Sequence, residues 1–133
     1  MSKDVILNKI SVIERCMKRI NEEYQNDFEN LKNYTKQDSI ILNIQRACEA
    51  SIDLAMHIIS EKKLGIPQNS RDAFEVLYSS DIIDKKLMKN LKAMVGFRNI
   101  AVHDYQVVNL EIVKQIIENH LSDLKEFVQV ILK

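Results

Sequence analysis

Glycine and proline are nearly absent from this chain: two glycines and one proline in 133 residues. So few turn-formers leave room for few turns, and few turns in this length mean long elements, which are helices. A surplus charge is also missing, because Lys+Arg and Asp+Glu both number 19. A general nucleic-acid coat protein is usually basic. Any contact with RNA must therefore come from a local cluster of charge, or from a cleft built by two chains. Cysteine is scarce too. Cys16 and Cys48 sit in helical apolar patterns with no CxxC spacing, as buried reduced thiols would. The start Met1-Ser2-Lys3-Asp4 has no apolar h-region of a signal peptide. No apolar run approaches the roughly 18 residues that a membrane span needs. These absences predict a cytoplasmic chain without a membrane partner. What is present, 46% hydrophobic and 29% charged residues, fits one globular domain over residues 1–133.

Helical spacing is visible in most of the chain. A first helix is expected from about Lys3 to Tyr24, with Val5, Ile6, Ile10, Ile13, Cys16, Met17, Ile20 and Tyr24 at three- and four-residue steps. Residues 25–33 read as a polar connection. Thr35 and Asp38 have the spacing of a capping box for a second helix. That helix runs through Ile41, Ile44, Cys48, Ile52, Ala55 and Ile59 to about Lys63. Gly65 followed by Pro67 is a strong stop. Ser70 is expected to cap a short third helix carrying Phe74 and Leu77, and Asp84 a fourth that starts at Lys85. Asn109 would cap a fifth, with Leu110, Val113, Ile117, Leu121, Leu124, Val128 and Ile131 on one side. No stretch alternates as a strand does. The expected fold is all-α, an antiparallel four-helix bundle with an additional short helix.

The informative segment is Phe97-Arg98-Asn99-Ile100-Ala101-Val102-His103-Asp104-Tyr105. At about 100° per residue, Leu87, Leu91, Met94, Val95 and Val102 share one face of the fourth helix, and Arg98 falls in the middle of it. Tyr105 lies on roughly the same stripe if the helix persists. Asn99 and His103 share a neighbouring stripe roughly 100–140° away. A charge in an apolar stripe is costly unless it is paired or has a task. Glu49 and Asp53, one turn apart on the second helix, are the obvious partners. Taken singly, each residue has an ordinary explanation: a structural ion pair for Arg98, a helix-end histidine complementing the dipole for His103, core packing for Tyr105. Four together are harder to explain that way. Arginine offers a planar fork for phosphate oxygens, and histidine moves protons near neutral pH.

Arg98-Asn99, three residues, His103, one residue and Tyr105 match the RNxxxHxY form of the HEPN superfamily's R-x4–6-H motif. The rest of the chain resembles the HepT-type toxins of that superfamily. The second helix carries Gln45-Arg46-x-x-Glu49-x-x-x-Asp53, then Ala55 and His57-Ile58. The linker reads Leu64-Gly65-Ile66-Pro67-Gln68-x-Ser70-Arg71-Asp72, and Met94-Val95-Gly96-Phe97 precede the motif. R-x4-H alone is a weak pattern, whereas the full motif with these segments is specific. The resemblance implies an all-helical HEPN domain that forms a homodimer and brings two copies of the motif into one cleft. It implies a metal-independent endoribonuclease toxin, encoded beside a nucleotidyltransferase antitoxin. That antitoxin would silence it by transferring AMP to Tyr105.

On this reading RNA supplies its own nucleophile, the 2′-OH. His103 is the candidate acid/base, Arg98 the candidate phosphate clamp, and Asn99 and Tyr105 are candidate substrate-contacting or supporting residues. One chain offers one such histidine and the reaction wants a base and an acid, which a twofold dimer provides. His57 reads as a packing or interface residue and His120 as ordinary surface. Three histidines so scattered predict no metal site. No Gly-rich phosphate loop marks the chain as a nucleotidyltransferase or NTPase, and no cofactor is expected. Two other readings stay open: a non-catalytic helical binding partner of a nucleotidyltransferase, and a purely structural helical dimer.

Overall fold

The computed structural model describes residues 2–103 and 109–133, with side chains for residues 3–99 and 109–133. The described residues hold helices and connections, with no strand among them. Helix α1 spans Ser2–Tyr24, α2 Tyr34–Glu61, α3 Ser70–Ser79 and α4 Lys85–His103. After Asn109 come α5 (Leu110–Gln115), a π turn over Ile116–His120 and α6 (Leu121–Leu132). This is the expected all-helical bundle with one short extra helix.

The long apolar stripes build the core. Ile13, Ile20 and Tyr24 of α1 are buried against Ile40, Ile44, Leu54 and Ile59 of α2 and Leu77, Leu87 and Phe127 of the later helices. Phe74 and Phe127 meet edge to face at 5.7 Å between ring centroids, a preferred aromatic geometry. Helices α1 and α2 run antiparallel: Lys9 pairs with Asp53 at 3.1 Å, while Arg19 shares a groove with Asp38 and Asn43. The same argument makes α3 and α4 antiparallel, since Lys92 pairs with Glu75 and Arg98 reaches Ser70.

Chain ends of the helices follow cap chemistry, with two shifts from the expected residues. The expected capping box of Thr35 and Asp38 does not form. Asn33 caps α2 from an extended conformation, its side chain accepting the Lys36 N–H, which places Thr35 inside the helix. Asn33 also ends a short 3₁₀ helix, Phe28–Lys32, within the stretch read as a plain connection. Likewise Asn69, not Ser70, caps α3 by accepting the Asp72 N–H at 2.9 Å. Asparagine is as good a cap as serine, and the earlier of two nearby candidates takes the role in each case. Asp84 and Asn109 cap α4 and α5 as expected, through the N–H groups of Leu87 and Glu111.

The last helix is not continuous. In a straight helix His120 would lie about 40° from Ile116, on the buried stripe. The wider π turn changes the register there. His120 instead holds the nearly buried Asp123 at 2.9 Å, so it is not ordinary surface. Asn90 of α4 donates to the other Asp123 oxygen at 3.2 Å, tying α4 to α6.

Candidate functional site

Arg98 lies on the α4 face that carries Leu87, Leu91, Met94 and Val95, all buried. Its side chain is 18% exposed, and it has two partners from two other helices. Nε lies 3.0 Å from Oε1 of Glu49 on α2, and Nη2 donates to the Ser70 hydroxyl at the start of α3 at 3.2 Å. The Nε–H does not point at the carboxylate well enough to form a hydrogen bond and is buried without one among the described residues. The Glu49 contact is therefore a charge–charge contact first, and the Ser70 contact is the directional one. Of the two carboxylates expected near Arg98, Asp53 is engaged by Lys9 and Glu49 stands beside the guanidinium.

Cys48, next to Glu49 on α2, packs beneath this pair and donates its S–H toward the Met94 carbonyl at 3.6 Å. Burial pushes its pKa up to about 12, with Arg98 pulling it down and Glu49 pushing it further up. The thiol is thus a protonated, inert neighbour of the site. Cys16 is also buried, with a raised pKa for the same first reason.

Gly96 explains a second cation. A Cβ at that position would come 2.5 Å from Nη2 of Arg71, so the missing side chain lets the Arg71 guanidinium lie directly on α4. Gly96, Asn99 and His103 follow one another at three- and four-residue steps, the spacing of one helix face. Arg71 thus sits on the stripe that leads to His103. Sequence reasoning placed Ser70 as a cap and gave Arg71 no role. The signal available was a glycine inside an otherwise unbroken helix, which costs about 1 kcal/mol against alanine and so wants a reason.

Asn99 is exposed on α4. His103 is the last residue of α4, and its side chain lies outside the described residues, as does Tyr105 altogether. Among the described residues, the buried Nε2 of His57 has no hydrogen-bond partner. An apolar groove of about 500 Å³ runs along Met94, Gly96 and Phe97 to Ile112 and His120 but does not include Arg98. Ion-pair geometry, not cavity size, therefore locates the site. Among the described residues, no group of three or more His, Cys, Asp and Glu side chains could hold a metal ion. No described helix is long and apolar enough to cross a membrane.

A family model described as ribonuclease HepT-like matches residues 12–131. The chain belongs to the HepT-like ribonuclease family. It is 52% identical over 128 residues to the mRNA nuclease HepT of Shewanella oneidensis, covering 96% of each chain. A solved structure of a tri-AMPylated Shewanella oneidensis HEPN toxin in complex with an MNT antitoxin superposes with a TM-score of 0.91 at 52% identity, over 97% of each chain. A toxin–antitoxin crystal structure with AMP-PNP gives a TM-score of 0.92 at 52% identity, over 97% of this chain and 98% of that one. The HEPN resemblance and the expectation of a ribonuclease both hold.

Proposed function

We propose that this HepT-like ribonuclease is a metal-independent endoribonuclease toxin acting as a cytoplasmic homodimer, with residues 1–133 forming one HEPN domain. The observation that carries the proposal is the mounting of Arg98. A guanidinium on an apolar stripe is fixed from one side by Glu49 and from another by Ser70, on the helix that ends at His103. Such fixing suits a group that must meet a phosphate in one geometry.

His103 would accept the proton of the 2′-OH while that oxygen attacks phosphorus. Arg98 would hold the non-bridging oxygens as negative charge builds on them. The leaving 5′-oxygen would take its proton from the partner's His103, giving a 2′,3′-cyclic phosphate and a free 5′-hydroxyl. Asn99 would orient substrate, and Tyr105 would line the groove. A nucleotidyltransferase antitoxin would silence the toxin by adding AMP to the Tyr105 oxygen. The new phosphate would then compete with RNA phosphate for Arg98. The Shewanella toxin, 52% identical, is AMPylated and in complex with an MNT antitoxin in its solved structure, which supports this assignment. mRNA, the substrate in that relative's name, is the first RNA to test.

The test is incubation of purified protein with mRNA in EDTA. Cyclic-phosphate ends should form, and should vanish in both Arg98→Ala and His103→Ala with circular dichroism unchanged. Equal residual cleavage by the two variants would mark a contaminant and sink the proposal.

A further inference from the structure

A second concentration of positive charge lies away from Arg98. Arg15 and Arg19 of α1 and Arg46 of α2 converge on one groove of about 430 Å³, floored by Val12, Cys16 and Asn43. All three arginines are exposed, and their charge reaches inward, since Arg46 and Arg15 both act on the buried Cys16 thiol. Among the described residues, Asp38 is the one carboxylate that lines the groove. Three guanidiniums to one carboxylate is a local excess of two charges on a chain whose net charge is zero. In a neutral protein such an excess has to be local to attract an anion, and here it borders a concave surface.

The groove shares helix α2 with the candidate site. Arg46 and Glu49 are three residues apart on α2, so they share one exposed face with a rise of about 4.5 Å between them. Glu49 is the residue that carries Arg98. A polyanion lying on Arg98 would pass the Glu49 carboxylate, whose charge is offset by Arg98, before reaching Arg46 and then Arg15 and Arg19. Several arginines along one groove suit a phosphodiester backbone, which brings one charge per nucleotide.

We infer that Arg15, Arg19 and Arg46 form a backbone-binding groove that holds single-stranded RNA to one side of the phosphate cleaved at Arg98. The inference rests on the nuclease reading for its substrate, but its test reads binding separately from cleavage. Affinity is measured for a single-stranded RNA methylated at every 2′-oxygen, which cannot be cut, over a range of salt concentrations. The variant is Arg15→Gln/Arg19→Gln/Arg46→Gln. The control is Lys85→Gln/Lys86→Gln/Lys89→Gln, which removes the same charge from exposed positions on α4.

Each phosphate contact adds about 0.7 to the slope of log affinity against log salt for single strands. The arginine variant should flatten that slope by about 2 and weaken binding roughly a hundredfold near 0.1 M salt. On cleavable RNA it should raise KM and leave kcat in place. Equal effects from the lysine control would overturn the groove, because net charge alone would then account for them. An unchanged slope, or conversion of a dimer to monomers by the arginine variant, would overturn it too. Unaltered protein that binds RNA with the full slope yet cleaves none would support the groove and refute the nuclease reading.

Discussion

Glu49→Gln isolates the device that holds Arg98. The pair is 3.0 Å apart, with Arg98 18% and Glu49 48% exposed. Two unit charges at about 4 Å are worth about 4 kcal/mol at an effective dielectric of 20 and about 1 kcal/mol in water. Half-exposure of Glu49, side-chain entropy and salt screening bring the net value toward the lower figure. The variant should lose about 1 kcal/mol of stability, a melting shift of roughly 3–5 °C for a chain of this size. Glutamine keeps the shape and the polar oxygen, but the Nε–H does not point at that oxygen. Little of the lost charge contact is recovered.

Activity should fall much further than stability. A domain with about 5–15 kcal/mol to lose stays almost wholly folded after losing 1. A displacement of about 1 Å at a group that must meet the reacting phosphate costs on the order of 100-fold. RNA cleavage by Glu49→Gln should therefore drop by roughly 10–100-fold in kcat/KM. The decisive measurement repeats the substitution on an Arg98→Ala background, where it should have no further effect on cleavage. Glu49 would then act only through Arg98. The reasoning fails if Glu49→Gln keeps kcat/KM within about twofold, or if it costs as much without Arg98 as with it.

Tyr105→Phe should lose labelling by the nucleotidyltransferase; labelling at unchanged stoichiometry in intact-mass spectra would show another acceptor. The buried Tyr24 hydroxyl donates to Glu118, and its pKa is raised, by burial first and then by Glu118. The unfolded chain therefore gives up this proton from about pH 10 while the folded chain keeps it, so the stabilisation is whole below that pH and declines above it. In urea titrations Tyr24→Phe should be about 1–2 kcal/mol less stable than the unaltered protein at neutral pH, and the gap should close as pH rises past 10; a gap constant into alkali refutes this. Cys16 and Cys48, both buried and with raised pKa, should resist a thiol reagent at pH 8 in the folded protein and both react in denaturant. Fast native labelling of either would contradict the packing. Gly96→Ala should raise stability by up to about 1 kcal/mol through helix propensity, because the atom in the way is the flexible end of Arg71. A lowered melting temperature would mean that Arg71 cannot move.

The elements that were legible are those set by local chemistry. The stripes of α1, α2 and α6 repeat every three to four residues, and Gly65, Pro67, Asp84 and Asn109 punctuate the chain by their own conformational and hydrogen-bonding preferences. What the sequence left hidden depends on contacts across helices or on choices between equal neighbours. Asn33 and Asn69 each stood within two residues of another good cap, and each takes the role from an extended backbone conformation. The π turn at Ile116–His120 accompanies the pairing of His120 with Asp123 and of Asp123 with Asn90, and one of those partners lies a whole helix away.

Arg98 is where the two kinds of information meet. The wheel alone puts a charge among Leu91, Met94 and Val95 and demands a partner, since a charge on an apolar stripe is costly unless it is paired. It does not say which of Glu49 and Asp53 answers, because both lie on the same α2 face one turn apart. The packing of α1 decides it: Lys9 takes Asp53, so Glu49 is left to face α4. A charge needed only for stability could be replaced by an apolar residue at little cost or with a gain. This one instead draws on α2 through Glu49, on α3 through Ser70, and places its guanidinium on the helix that ends at His103. If Arg98→Met is more stable than the unaltered protein in denaturant and yet cleaves no RNA, the arginine is retained for phosphate. If Arg98→Met unfolds the bundle, the arginine is retained for packing and its role in cleavage has to be argued from elsewhere.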